Sequence, residues 1–80
     1  MHFQKEIVKL LKKKSNIKNP ILEIPPNPEL GDYSFPCFKL GKNPTEESNK
    51  LRNKIKKPEF ISDIKTMGPY LNFFIDKSKL

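Results

Sequence analysis

Gly68-Pro69-Tyr70-Leu71-Asn72-Phe73-Phe74-Ile75 is the stretch that decides the fold. Gly-Pro marks a turn, and the residues after it are aromatic or aliphatic at every position but Asn72. Tyr70 to Asp76 therefore reads as a strand. Successive side chains of a strand point to opposite faces. Leu71, Phe73 and Ile75 form a wholly apolar side, which predicts burial beneath a helical layer. Tyr70, Asn72 and Phe74 form the other side, which is expected to be an open face.

Working upstream, Phe60 to Met67 reads as a strand leading into the same turn. Before it, Asn43-Pro44-Thr45-Glu46 is a helix start. Asn43 suits the cap, Pro44 the first helical position, and Glu46 can close a capping box. That helix runs to about Lys56 and stops before Pro58. Its apolar stripe is thin, with Leu51, Ile55 and a small, closely packing Ser48. Tyr33 to Phe38 is aromatic and strand-like, but Pro36 makes it an edge or ends it early. Pro25-Pro26-Asn27-Pro28-Glu29-Leu30-Gly31-Asp32 is a loop, because three prolines withhold backbone donors. Asp32 reads there as a turn or capping residue. Ile21 to Ile24 reads as one more short strand. Phe3, Ile7, Leu10 and Leu11 fall on one face of a helix over residues 2–14, which Ser15-Asn16 ends.

The resulting order is helix, strand, strand, helix, strand, strand. We expect an α+β protein, a two-layer α/β sandwich with a four-stranded sheet and both helices on one face. Residues 1–76 make the domain, and 77–80 read as a linker. Eighty residues make one domain at most. A chain this short buries only about 60% of its unfolded surface.

The net charge is +7, and it is uneven. Residues 1–19 carry six Lys and one Glu, and residues 42–58 carry five Lys, one Arg and two Glu. Both segments are the expected helices. A basic surface favours polyanions through counterion release. Lysine-rich faces also serve solubility, so charge alone leaves that partner open.

Catalytic chemistry is thin. Cys37 is the one cysteine and His2 the one histidine, so neither a disulfide nor a Cys-based zinc site can be built, and no metal is expected. Cys37 reads as a small buried apolar residue. The three glycines stand far apart, which leaves no phosphate-cradling loop. No stretch approaches a membrane span, and there is no signal-like apolar core at the start. No cofactor is implied, and a reducing compartment fits. On the open face, a tyrosine beside an amide suits an unpaired nucleobase: the ring stacks and the amide reads an edge. The pattern equally fits a Tyr70 that only covers the turn and a solvated Asn72.

Three motifs carry a resemblance. Residues 25–40, Pro-Pro-Asn-Pro-Glu-Leu-Gly-Asp-Tyr-Ser-Phe-Pro-Cys-Phe-Lys-Leu, are followed by Asn43-Pro44 and then by Gly68-Pro69-Tyr70-Leu71-Asn72-Phe73-Phe74-Ile75. Their order and spacing resemble those of the N-terminal additional domain of arginyl-tRNA synthetases. The likeness spans essentially the whole chain, with residues 1–20 and 45–65 matching in pattern only.

The resemblance implies a two-layer fold, a cytoplasmic setting and a role in docking on arginine tRNA at its outer corner. It implies that Tyr70 and Asn72 contact a D-loop base. The residue before Gly-Pro joins that contact in some members, where it can be polar. Here it is Met67, a departure that removes a strong hydrogen bond. Lys65, Lys39 and Lys42 are placed to supply phosphate contacts. The family's nucleotide-binding motif, its mobile lysine loop and its anticodon-binding domain have no counterpart here, so the chain itself is expected to catalyse nothing. The partner is then the synthetase's catalytic domain, in cis or in trans. A different reading makes the open face or a strand edge a protein-docking surface for that catalytic domain.

Overall fold

A computed structural model describes residues 3–15 and 17–79; His2, expected at the start of the first helix, lies outside them. Helix α1 covers Phe3–Ser15, strand β1 Tyr33–Pro36, helix α2 Pro44–Lys54, strand β2 Ile61–Met67 and strand β3 Tyr70–Ile75. Short 3-10 turns form at Pro28–Leu30 and Lys77–Lys79. The chain is α+β, but the expected four-stranded sheet and its helix-strand-strand-helix-strand-strand order are corrected. The sheet has three antiparallel strands in the order β1-β3-β2.

The missing strand is Ile21 to Ile24, and its prolines explain the loss. Glu23 makes a single antiparallel bridge with Ser34, each N–H donating to the other's carbonyl at 2.8 Å. Pro20, Pro25 and Pro26 flank that bridge and have no N–H to extend it into a ladder. The segment lies beside β1 as a strap rather than as a strand.

Pro36 acts in both of the expected ways. β1 stands at the sheet edge and ends at Pro36. The Cys37 N–H then donates to the Pro69 carbonyl at 2.9 Å, tying the end of β1 to the β2–β3 turn. That turn has two residues, with Gly68 at φ +58° in its first position. Positive φ there suits the twist of a tight hairpin.

The apolar side of β3 lies under the helices as its alternation predicts. Leu71, Phe73 and Ile75 join Ile7 and Leu11 of α1, Leu51 and Ile55 at the end of α2, and Phe35, Ile61 and Ile64 in one core. α2 packs on β2 and β3, and α1 packs on α2. The Asn43 side chain caps α2 by accepting from the Glu46 N–H at 3.2 Å. Ser48 is fully buried, which lets α2 approach closely; its hydroxyl lies 2.8 Å from the Thr45 carbonyl and 2.9 Å from the Gly68 carbonyl. Arg52 Nε donates to the Ile64 carbonyl at 2.7 Å. The thin helix is therefore anchored by polar bonds to β2 and its turn as well as by Leu51 and Ile55.

Candidate nucleic-acid interface

Tyr70, Asn72 and Phe74 do face away from the helices, but that side is not bare. Tyr70 and Phe74 are half-buried, whereas Asn72 is only 3% exposed. The expectation that Asn72 stands open on a free sheet face is corrected. The cover is the later part of the strap, residues 23–31, which lies over this side of the sheet and brings Gly31 against Asn72.

Strap and sheet enclose a cleft of about 350 Å³. Its strap wall is Glu23, Ile24, Pro25, Pro26 and Leu30; its sheet wall is Ser34, Met67, Tyr70 and Asn72. Ligand clefts run from roughly 300 to 1,000 Å³, so this one suits a single small group. Its walls are largely apolar, with few polar groups converging, as such sites usually are.

Each member is held by the fold for a definite reason. Tyr70 opens β3 directly after the Gly68-Pro69 turn and pairs with Met67 in register, so both flank the turn end of the cleft. Phe38 meets the Tyr70 ring edge-on, with centroids 5.7 Å apart. That contact steadies the ring from one side while it remains half-buried. Asn72 sits in the middle of the central strand, between Ser34 on β1 and Lys65 on β2. The Ser34 hydroxyl donates to Asn72 Oδ1 at 2.7 Å.

The anticipated cations divide. Lys65 is exposed next to Asn72 in register; its Nζ lies 5.3 Å from the Phe74 ring centre and 3.9 Å from Asp63 Oδ2. Lys39 is exposed and lines a neighbouring groove with Phe38, Ile21 and Pro20. Lys42 is exposed in the connector before α2 and lines neither space. The lysine-rich helices lie behind the sheet, on the side opposite the cleft. The structure thus gathers Tyr70, Asn72 and Met67, sets Lys65 beside them, and leaves Lys39 and Lys42 outside.

Ser34, Leu30 and the Pro25-Pro26 wall were not anticipated as cleft residues. The proline run pointed to a loop, but nothing local in it shows which face that loop covers. Phe38 was part of an aromatic strand-like run whose contact with Tyr70 depends on the tertiary path.

Two titratable groups near the site are structural. Burial alone would raise the Asp32 carboxyl, but hydrogen bonds from Lys77 and from the Ile75 N–H outweigh it and hold the group below its usual range. Burial pushes the Cys37 thiol up to about 11, and the Glu47 carboxylate adds to the shift. Cys37 is fully buried. Among the described residues, no cluster of His, Cys, Asp and Glu is arranged to hold a metal ion, and no helix is long and apolar enough to cross a membrane.

Comparison with known proteins points in one direction. The sequence profile described as "Arginyl tRNA synthetase N terminal domain" matches residues 1–75. The chain is 36% identical to an arginine–tRNA ligase of Clostridium beijerinckii over 84 residues, covering 96% of this chain and 15% of that protein. It is 48% identical to one of Clostridium botulinum over 64 residues, covering 75% of this chain and 11% of that protein. Among solved structures it is similar to Thermus thermophilus arginyl-tRNA synthetase, with a TM-score of 0.76 and 26% identity, over 96% of this chain and 14% of that one. The chain thus spans a small fraction of the relatives it matches.

Proposed function

The chain belongs to the arginyl-tRNA synthetase N-terminal domain family, and from that premise we propose that it is an RNA-binding module for arginine tRNA. The cleft between strap and sheet takes an unpaired base of the D-loop. Tyr70 supplies a stacking face, Asn72 an amide at the cleft floor, and Met67 an apolar wall. Lys65 meets a phosphate near the base, and Lys39 and Lys42 make weaker, more distant phosphate contacts. The module catalyses nothing; it helps to place tRNA for aminoacylation by a synthetase catalytic domain, joined in cis or acting in trans.

The observation that carries this reading is the convergence of Tyr70 and Asn72 on one cleft of about 350 Å³ with Lys65 beside it. Stacking on an aromatic ring contributes roughly 1–3 kcal/mol per base. The test is an NMR titration of the labelled chain with arginine tRNA and with a D-loop-altered version. Tyr70→Ala is expected to weaken binding by that amount while preserving the spectrum of the core. Equal affinity of Tyr70→Ala and wild type removes Tyr70 from the site.

A second reading is supported by a specific feature. Ile21, Ile24, Phe38 and Met67 are large apolar residues that stand 69%, 76%, 56% and 47% exposed. They border the cleft and its neighbouring groove, and they fit a docking surface for the catalytic domain. The two readings differ in their response to salt.

A further inference from the structure

The direction of the Asn72 carboxamide decides what a ligand meets in the cleft, because one end accepts hydrogen bonds and the other donates them. Ser34 lies directly across from Asn72 in the β1–β3 register. Its hydroxyl donates to Oδ1 at 2.7 Å. Ser34 is 6% exposed, and both residues lie beneath the strap, so water competes little for this bond. Ser34 is itself pinned between neighbours, since its backbone N–H and carbonyl are both engaged by Glu23. With Oδ1 occupied on the β1 side, the Nδ2 amine is the end of the group left for the cleft.

We propose that Ser34 is a positioning residue: it turns Asn72 so that the cleft offers an N–H donor, and the site engages its base through an acceptor on the base edge. The acceptor is a ring nitrogen or a carbonyl oxygen. This inference rests on the base-binding reading above and adds a residue and a polarity to it. Lys65, the residue across Asn72 on the other side, is also a donor. On the sheet wall, Asn72 and the neighbouring Lys65 then offer donors, which suits an electron-rich base edge next to a phosphate, while the Glu23 carboxylate on the facing strap wall is an acceptor.

The test uses the isotope-labelled 80-residue chain and an arginine tRNA transcript. Affinities are measured for wild type, Ser34→Ala, Ser34→Thr, Asn72→Ala and the Ser34→Ala/Asn72→Ala pair. Ser34→Ala should weaken binding by roughly 3–10-fold, the value of one modest hydrogen bond. It should cost nothing further once Asn72 is alanine, the signature of two residues acting as one. Ser34→Thr keeps the hydroxyl and should bind like wild type. At saturation, the Asn72 Nδ2 protons of wild type should move downfield as they meet an acceptor.

If Asn72→Ala weakens binding but Ser34→Ala does not, base reading stands and the positioning role falls. The same holds if Ser34→Ala costs as much without Asn72 as with it. Nδ2 protons that do not move when tRNA binds overturn the donor polarity, and this measurement needs no variant that could misfold. If Asn72→Ala binds like wild type, the base-binding reading fails first and this inference goes with it.

Discussion

The Asp32 carboxylate accepts the Ile75 N–H at 2.8 Å, joining the entrance of β1 to the end of β3 across 43 positions of sequence. Its other oxygen lies 2.6 Å from Lys77 Nζ. The sequence predicts a turn or capping residue at Asp32; the side chain does bond to backbone, but to backbone far along the chain. The pH dependence follows from its lowered carboxyl, whose ordinary value is 3.8. Above that value both folded and unfolded chains carry the charge, and the full contribution is present. As pH falls below about 3.8, the unfolded chain takes up the proton first and the contribution is lost through the folded value. Asp32→Asn is expected to cost about 1 kcal/mol at pH 7, discounted for the exposed lysine partner. Urea unfolding should show the gap between the two proteins closing below pH 4. A gap that stays constant into acid would show that the charge is not what matters.

Gly31 has φ +123°, and a Cβ there would sit 3.1 Å from the Phe73 carbonyl oxygen. That oxygen already accepts from the Asp32 N–H at 2.8 Å. Backbone on both sides leaves little room to yield. Gly31→Ala should destabilise by roughly 1–3 kcal/mol through strain at a backbone angle that disfavours side chains. Gly68→Ala is the control, since its Cβ would meet nothing within 4 Å, and only its φ of +58° is penalised. Denaturant midpoints of the two variants compare them directly, and an Ala at 31 milder than one at 68 would contradict the close approach.

Cys37 combines full burial with a thiol raised to about 11. The thiolate is the reactive form. A small disulfide reagent at pH 8 should therefore label Cys37 only as fast as the chain opens, and in full on adding denaturant. Rapid labelling of the native chain would mean that the end of β1 is not packed as described.

Salt separates the two functional readings. An RNA complex that neutralises phosphates with Lys65 and its neighbours should weaken steeply between 50 and 200 mM salt, with a log–log slope of roughly one per phosphate contacted. Lys65→Gln should lower that slope by about one. Docking of a catalytic domain on Ile21, Ile24 and Phe38 would instead be nearly flat with salt.

Much of the architecture was legible in local pattern. Asn43-Pro44 signalled α2, Gly68-Pro69 signalled the hairpin, and the alternation in Leu71, Phe73 and Ile75 identified the helix-covered side. These signals are local because caps, turns and strand parity depend on neighbours in sequence. The path of residues 21–31 was not legible. Ile21 to Ile24 has strand composition, but its flanking prolines limit it to one bridge, and what it covers depends on partners such as Ser34. The burial of Asn72 follows from that path, so a residue expected in solvent forms part of a cleft floor. Ser34 escaped notice for the same reason: its importance lies in a partner 38 residues away.

β3 serves two compartments at once. Its odd-numbered residues fill the oily interior beneath α1 and α2, and on its other side Tyr70 and Asn72 furnish the cleft beneath the strap. Losing or gaining one residue within Tyr70–Ile75 would exchange these roles together. It would push an amide into the oil and leave the cleft with a greasy floor. Length in this segment is therefore constrained more tightly than identity: leucine can trade with isoleucine, but the count cannot drift.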